Sequence, residues 1–282
     1  MRPTTLAVIG LDSLGGSLAW QALRAGIPRV IGYSSQPAVA VRALKVEAIS
    51  DIALTPEKAV RDADLIVIAA SPTRTARLIG ALAPHVVPAA FLTDIASVKA
   101  PVCRAAARHG VADRFAGSHP LPASSASGAG RTGPDRFRGA VVYVCPVDPS
   151  RGDQAARQVM HFWSDVMEAE PVLIEAERHD RQVAWTSHLP QALSYLLAKT
   201  LAARRLGGVS FGRGARDTTR LAAEDPEYWA DLLLENAAPI LEALAETERE
   251  LTGLKTLLEH ADGDGLREYL ATAAMFRRGI ER

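Results

Sequence analysis

The chain has no excess charge of either sign: Lys plus Arg and Asp plus Glu number 32 each over 282 residues. Without net charge there is no global field to draw nucleic acid or an anionic membrane. Cysteine is scarce. The chain holds Cys103 and Cys145, far apart and without a CxxC or HxxxH spacing around them. They read as two small buried hydrophobic residues of a reducing compartment, and no metal site is expected. Long apolar runs are lacking too. The opening run, residues 6–9, is too short for a signal-peptide core, and no stretch approaches the roughly 20 apolar residues that span a bilayer. A cytoplasmic protein is the expectation. Disorder is excluded from the other side, because 48% hydrophobic against 23% charged residues suffices for a sizeable core.

What the chain does have, in its first half, is an alternation of short apolar runs and helix-like segments. Residues 6–9, 29–33, 65–69, 90–93, 115–117 and 141–144 read as strands, and 15–25, 37–46, 56–61, 73–83 and 98–109 as helices. The runs are near-continuously apolar rather than alternating, the pattern of a parallel sheet buried on both faces. A further helix over 151–167 and a short run over 171–174 follow, and then the strand signal stops. The expected fold is α/β: a Rossmann-type doubly wound domain over 1–174, then an all-α domain over 175–282. Residues 122–134, rich in Ser, Gly and Ala, read as a loop. In the second half Leu241, Leu244, Leu251, Leu254 and Leu258 fall close to a heptad stripe. Two readings stay open for it, a helix buried within one subunit or a dimer seam.

The first βα unit runs Ile9-Gly10-Leu11-Asp12-Ser13-Leu14-Gly15-Gly16-Ser17. In the dinucleotide fingerprint the first Gly permits the tight turn, the second lets backbone approach a pyrophosphate, and the third lets helix and strand pack closely. Gly10 and Gly15 hold the first and third places; Asp12 holds the second. A carboxylate there adds negative charge where an anionic group would sit, although the helix N-terminus still offers unpaired N–H groups. The fingerprint also places an acid at the end of the second strand, on the ribose hydroxyls. Here that strand ends Tyr33-Ser34-Ser35-Gln36. Hydroxyls would tolerate a 2′-phosphate, so NAD and NADP are both open, and ordinary loop polarity accounts for Ser34 and Ser35 equally well. Gly10, Asp12, Leu14, Gly15, Ser34 and Ser71, the last just beyond the third apolar run, are the residues expected on the dinucleotide.

Ligands of an open α/β sheet bind beyond the carboxyl ends of its strands. Two polar segments follow expected strands: Asp94-Ile95-Ala96-Ser97-Val98-Lys99 and Gly117-Ser118-His119-Pro120. Ser97 is placed to orient a partner, or simply to cap a helix. His119, before a proline, is expected on an extended loop edge where a proton acceptor is useful. In the helical half, His179-Asp180-Arg181 leads to Ser187-His188-Leu189-Pro190-Gln191. There Pro190 is expected to kink the helix. Arg216 and Arg220 offer guanidiniums for a carboxylate, or for a surface ion pair.

Taken together, Gly10…Gly15-Gly16-Ser17, Asp94…Ser97-Val98-Lys99, Gly117-Ser118-His119-Pro120, His179-Asp180-Arg181…Ser187-His188-Leu189-Pro190, Arg216-Asp217…Arg220 and Asp225-Pro226…Trp229…Asp231…Asn236 resemble the prephenate and arogenate dehydrogenase family of tyrosine biosynthesis. The resemblance covers nearly the whole chain. It implies oxidative decarboxylation with hydride transfer to NAD or NADP. It implies that His119 accepts a hydrogen bond from the ring hydroxyl, that Ser97 orients His119 or that hydroxyl, and that Arg220 holds a substrate carboxylate. Ser187 and His188 would line the substrate side, and the family works as a dimer joined through its helical domains. The sequence departs from the family at Asp12. Ser124 and Ser125 stand where a Thr-Glu pair is usual, and Gln191 stands where a second His is frequent. Ser124 and Gln191 would lie at the substrate, leaving keto acid or amino acid open. The rival reading is a redox-inactive member that binds a small acid as a sensor.

Overall fold

The computed structural model describes residues 2–122, 133–148, 153–204 and 210–280. In chain order the elements are β1 (Thr5–Ile9), α1 (Ser13–Arg24), β2 (Arg29–Tyr33), α2 (Pro37–Lys45), β3 (Asp51–Ile52), α3 (Pro56–Val60), β4 (Leu65–Ile68), α4 (Pro72–Leu82), β5 (Phe91–Asp94), α5 (Ala100–Arg108), β6 (Ala116–Leu121), β7 (Val141–Pro146), α6 (Asp153–His161), β8 (Glu170–Leu173), α7 (Ala176–Val183), α8 (Leu189–Ala203), α9 (Arg213–Thr218), α10 (Pro226–Glu235), α11 (Ala237–Glu259) and α12 (Gly263–Ile280). They form two compact units, Met1–Val183 with Glu224–Asn236, and Ala184–Ala223 with Ala237–Arg282.

In the first unit β3-β2-β1-β4-β5 form a five-stranded sheet in which every pair is parallel. The period of two explains its apolar runs. Leu6, Val8, Leu65 and Val67 enter the core on one face, with Leu18 and Ala22 of α1. Ala7, Ile9, Ile66 and Ile68 enter the core on the other, with Ile79 and Leu82 of α4. Each buried Leu, Ile or Val among them contributes about 1.5–3 kcal/mol. β3 is two residues long, too short to leave a run in the sequence.

The later strands depart from the parallel expectation. β6, β7 and β8 form a separate three-stranded sheet; β6 pairs with β7 antiparallel, and β7 with β8 parallel. A parallel bridge between Leu92 and Phe115 links the start of β6 to β5. An apolar run reports burial on both faces and carries no mark of direction, so it reads alike in either arrangement. β6 also extends through His119 and Pro120, so His119 is a buried strand residue rather than a loop-edge one.

The sequence boundary near Ile174 follows the loss of strand signal, and the compact units divide elsewhere: α7 and α10 pack with the first unit. Asp180 of α7 accepts the N–H groups of Lys99 and Ala100 at 2.7 Å each, and Asn236 donates to the Asp180 carbonyl at 2.9 Å. Helical period says nothing about which body a helix packs on.

In the second unit a π-helical turn, Ala184–His188, runs into α8. Pro190 follows directly on that π-helical turn, with His188 in helical dihedrals, and such a turn is one of the places where a helix accommodates a missing N–H. α8 clasps the segment before α10. Gln191 donates to the Leu221 carbonyl at 2.7 Å, Ser194 donates to the Thr218 carbonyl at 3.0 Å, and Ala222 N–H donates to Ser194 at 3.1 Å. On α11 Leu241, Leu251 and Leu258 are more than half exposed, as are Met275, Phe276 and Ile280 of α12. Leu244 and Leu254 of the same stripe are partly buried, so three of its five leucines face out, and exposed apolar surface of this kind marks interaction faces.

Candidate active site

The turn after β1 is built on two close approaches. Gly10 has φ +107°, and a Cβ there would overlap the carbonyl oxygen of Ala69 beyond β4. A Cβ on Gly15 would overlap the Gly10 carbonyl oxygen. Both positions require glycine, and their bare backbones bring the start of α1 against the strand ends. The second fingerprint place does not share this requirement: Asp12 has φ −68° and ψ −165°, extended geometry open to any residue.

Above the turn lies a cavity of about 630 Å³, lined by Gly10, Asp12, Ser34, Ser35, Ser71, Arg74, Arg77, Tyr228 and Asp231 among others. That volume falls in the range of small-molecule and cofactor sites. Gly10, Asp12, Ser34 and Ser71 share its walls. Leu14 is half-buried against the hydrophobic core and Gly15 is buried; neither lines the cavity, and Gly15 acts through close packing. Two arginines of α4 and the start of α1 supply positive potential, while Asp12 opposes it. Asp12 is exposed on the cavity wall; partial desolvation by its surroundings pushes its carboxyl up from the ordinary carboxylate range, against the pull of the Gly15 N–H and the Arg74 charge. Bare glycine backbone, an open helix N-terminus and serine hydroxyls at the end of β2 fit a dinucleotide phosphate and ribose.

α10 closes the cavity from a distant part of the chain, with Tyr228 and Asp231. Tyr228 shares a hydrogen bond of 2.9 Å with Ser97, so Ser97 is tied to the cavity wall. Asp231 and Glu235 both reach the hydroxyl of Thr73. The motif around Asp231 assigns it no role from sequence, and nothing local marks Tyr228.

At the carboxyl end of β5 the polar residues form a buried lattice. Lys99 is fully buried and paired with Asp94. It also donates to the Ser118 carbonyl at 2.7 Å. Asp94 accepts Ala96 N–H at 2.8 Å and Ser118 N–H at 3.1 Å. Burial pushes the Asp94 carboxyl up, and Lys99 with those N–H groups pulls against it. This lattice pins β6 to the end of β5 and so fixes His119. The Nδ1 of His119 lies 2.9 Å from the Nε2 of His179, and the Nδ1 of His179 lies 2.7 Å from Asp180 Oδ1. Burial pushes His179 below the ordinary imidazole range, against the pull of Asp180. Asp94, Lys99, His179 and Asp180 stand in the sequence motifs without assigned partners: Asp94 pairs with Lys99 and His179 with Asp180 within one motif, but the contacts that join these pairs to Ser118, to His119 and to the start of α5 are remote in the chain.

The second unit holds the remaining expected residues. His188 and Gln191 are buried, Ser187 is exposed, and Arg220 is exposed at the start of a 3-10 turn, Arg220–Ala223. Gln191 and Ser194 fix the backbone on either side of Arg220. Ser124 lies outside the described residues. Among the described residues no group of three or more His, Cys, Asp or Glu could hold a metal, and no helix is long and apolar enough to cross a membrane.

Residues 20–169 match the family profile described as "Prephenate dehydrogenase, nucleotide-binding domain", and residues 175–272 match "Prephenate dehydrogenase, dimerization domain". The chain is 28% identical to a cyclohexadienyl dehydrogenase of Zymomonas mobilis, covering 98% of this chain and 96% of the relative. It is 29% identical to a prephenate dehydrogenase of Bacillus subtilis, covering 98% and 76%. A crystal structure of prephenate dehydrogenase from Aquifex aeolicus, in complex with hydroxyphenyl propionate and NAD+, superposes with a TM-score of 0.88 at 25% identity, covering 98% of each chain.

Proposed function

The chain belongs to the prephenate dehydrogenase family, and from that premise we propose that it oxidatively decarboxylates prephenate or arogenate with NAD or NADP as hydride acceptor. The observation that carries the reading is a dinucleotide-sized cavity on the Gly10–Gly15 turn in the same unit as a buried His119 held by a second histidine and a carboxylate. NAD+ in the Aquifex relative supports a nicotinamide dinucleotide here.

The bound dinucleotide would supply a hydride acceptor for the ring carbon that bears the hydroxyl. Gly10, Asp12, Ser34 and Ser71 would hold it, beside Arg74 and Tyr228. His119 accepts the hydrogen bond of the ring hydroxyl and so favours carbonyl character at that carbon. The ring carboxylate leaves as carbon dioxide, its bonding electrons enter the ring, and the product is aromatic. Aromatisation supplies driving force, so the side chains have mainly to position and polarise. Arg220 is the guanidinium proposed for a substrate carboxylate, with Ser187, His188, Gln191 and Ser124 as the other proposed substrate residues. We further infer a homodimer through the exposed apolar faces of α11 and α12, consistent with the matched dimerization domain.

The test is absorbance of reduced nicotinamide with prephenate or arogenate and NAD or NADP. Growth in at least one of the four pairings is expected; silence in all of them sinks the proposal.

A further inference from the structure

We propose that His179, fixed by Asp180, sets the tautomer of His119 and makes its Nε2 the accepting nitrogen. The proposal rests on His119 as the group that accepts from the substrate hydroxyl. It assigns His179 as a positioning residue, one that acts through His119.

The chain of donors starts at a helix. Lys99 and Ala100 open α5, where N–H groups lack intrahelical partners. Their N–H groups donate at 2.7 Å to the two oxygens of Asp180, one to each. A carboxylate so held, at the positive end of a helix dipole, is an acceptor. His179 Nδ1, at 2.7 Å from Asp180 Oδ1, must therefore carry a proton and donate it. Burial keeps His179 neutral at neutral pH, so its Nε2 holds a lone pair. That lone pair lies 2.9 Å from His119 Nδ1. Two lone pairs cannot face each other at that distance, so His119 Nδ1 carries the proton. A neutral His119 then has its lone pair on Nε2, the state a proton-accepting histidine needs.

The ring positions are also fixed. His119 and His179 meet edge-on with centroids 5.0 Å apart, and Tyr143 of β7 packs edge-on to His179 at 5.4 Å. Tyr143 is also the register partner of His119 across β6 and β7. The charged and titratable groups facing His179 are Asp180 on its own helix, Lys99 at α5, Asp94 on β5, Tyr143 on β7 and His119 on β6.

Long-range ¹H–¹⁵N correlation spectra of histidine-labelled protein test the assignment directly. The expected result is Nδ1–H for both His119 and His179 at neutral pH; an Nε2–H tautomer at His119 overturns the proposal. Kinetics supply a second arm with His179→Phe, which removes the acceptor, and His179→Gln, whose amide oxygen restores one. His179→Phe should lower kcat by roughly 10²-fold with KM changed less than about 3-fold, the signature of a mis-set base rather than lost binding. Its acid limb of kcat/KM should move to lower pH, because protonated His119 loses the acceptor that stabilises it. His179→Gln should recover about 10-fold of that loss. Equal losses in both variants with an unmoved acid limb would reduce His179 to packing. His119→Asn with undiminished turnover would instead remove the reading of His119 as acceptor, whatever the tautomers show.

Discussion

Ser97 and Tyr228 share a hydrogen bond of 2.9 Å across 131 residues of sequence. It joins the loop after β5 to α10, and thereby ties a residue expected to orient the reacting groups to the wall of the dinucleotide cavity. Burial pushes the Tyr228 phenol up from its ordinary range, so the hydroxyl stays protonated at neutral pH and is available as a donor.

Tyr228→Phe should accordingly loosen that wall without touching His119. One net hydrogen bond is worth about 0.5–1.5 kcal/mol. The dinucleotide KM should rise roughly 2- to 10-fold with kcat little changed. Steady-state kinetics in the dinucleotide decide it, and a loss confined to kcat would place Tyr228 at the substrate instead.

Asp12 is the residue through which dinucleotide binding should depend on pH. Its carboxyl is raised by partial desolvation on the cavity wall, and an anionic pyrophosphate nearby favours the protonated form further. Binding therefore takes up a proton. Affinity should be highest at acid pH and fall as pH rises through the Asp12 titration. Asp12→Asn should bind more tightly at neutral pH and lose the dependence. Calorimetric titration at several pH values would show both; equal affinities of wild type and variant at every pH would mean that the carboxylate does not meet the phosphates.

Lys99 is predicted to be structural. Its ammonium is fully buried against Asp94, and removing one partner of such a pair costs about 3–5 kcal/mol. Lys99→Met should lower the urea midpoint of the first unit accordingly, whereas Asp94→Asn with Lys99→Met should cost less than the two changes summed. Additive losses would deny the coupling.

Much of this architecture is legible in the amino-acid sequence. The Gly10–Gly15 turn announces itself because glycine is the residue that tolerates φ +107° and the overlaps found there. Ser97 and His119 are legible as residues just beyond apolar runs. The unreadable parts are those made by distant partners. His119 and His179 are 60 residues apart, and neither local pattern names the other. Tyr228 reaches the cavity from α10, a helix whose period gives no hint of the body it joins. The antiparallel β6–β7 pairing escapes for a different reason, since the residues of a strand carry no mark of the direction of its partner.

The exposed faces of α11 and α12 make the oligomer testable. Leu251 and Phe276 are 56% and 72% exposed. Light scattering on the purified protein should give twice the chain mass of 30.1 kDa, and Leu251→Glu with Phe276→Glu should give the single chain. A variant that remains dimeric would move the seam elsewhere.

The most direct measurement is turnover of His119→Asn, in whichever substrate and dinucleotide pairing the wild type uses, followed across pH. A fall of about 10²–10⁴-fold is expected, the range for a lost acid–base group. The acid limb of the wild-type profile should disappear with it, while dinucleotide affinity holds. Wild-type turnover with the acid limb intact would contradict the placement of His119 at the reacting hydroxyl.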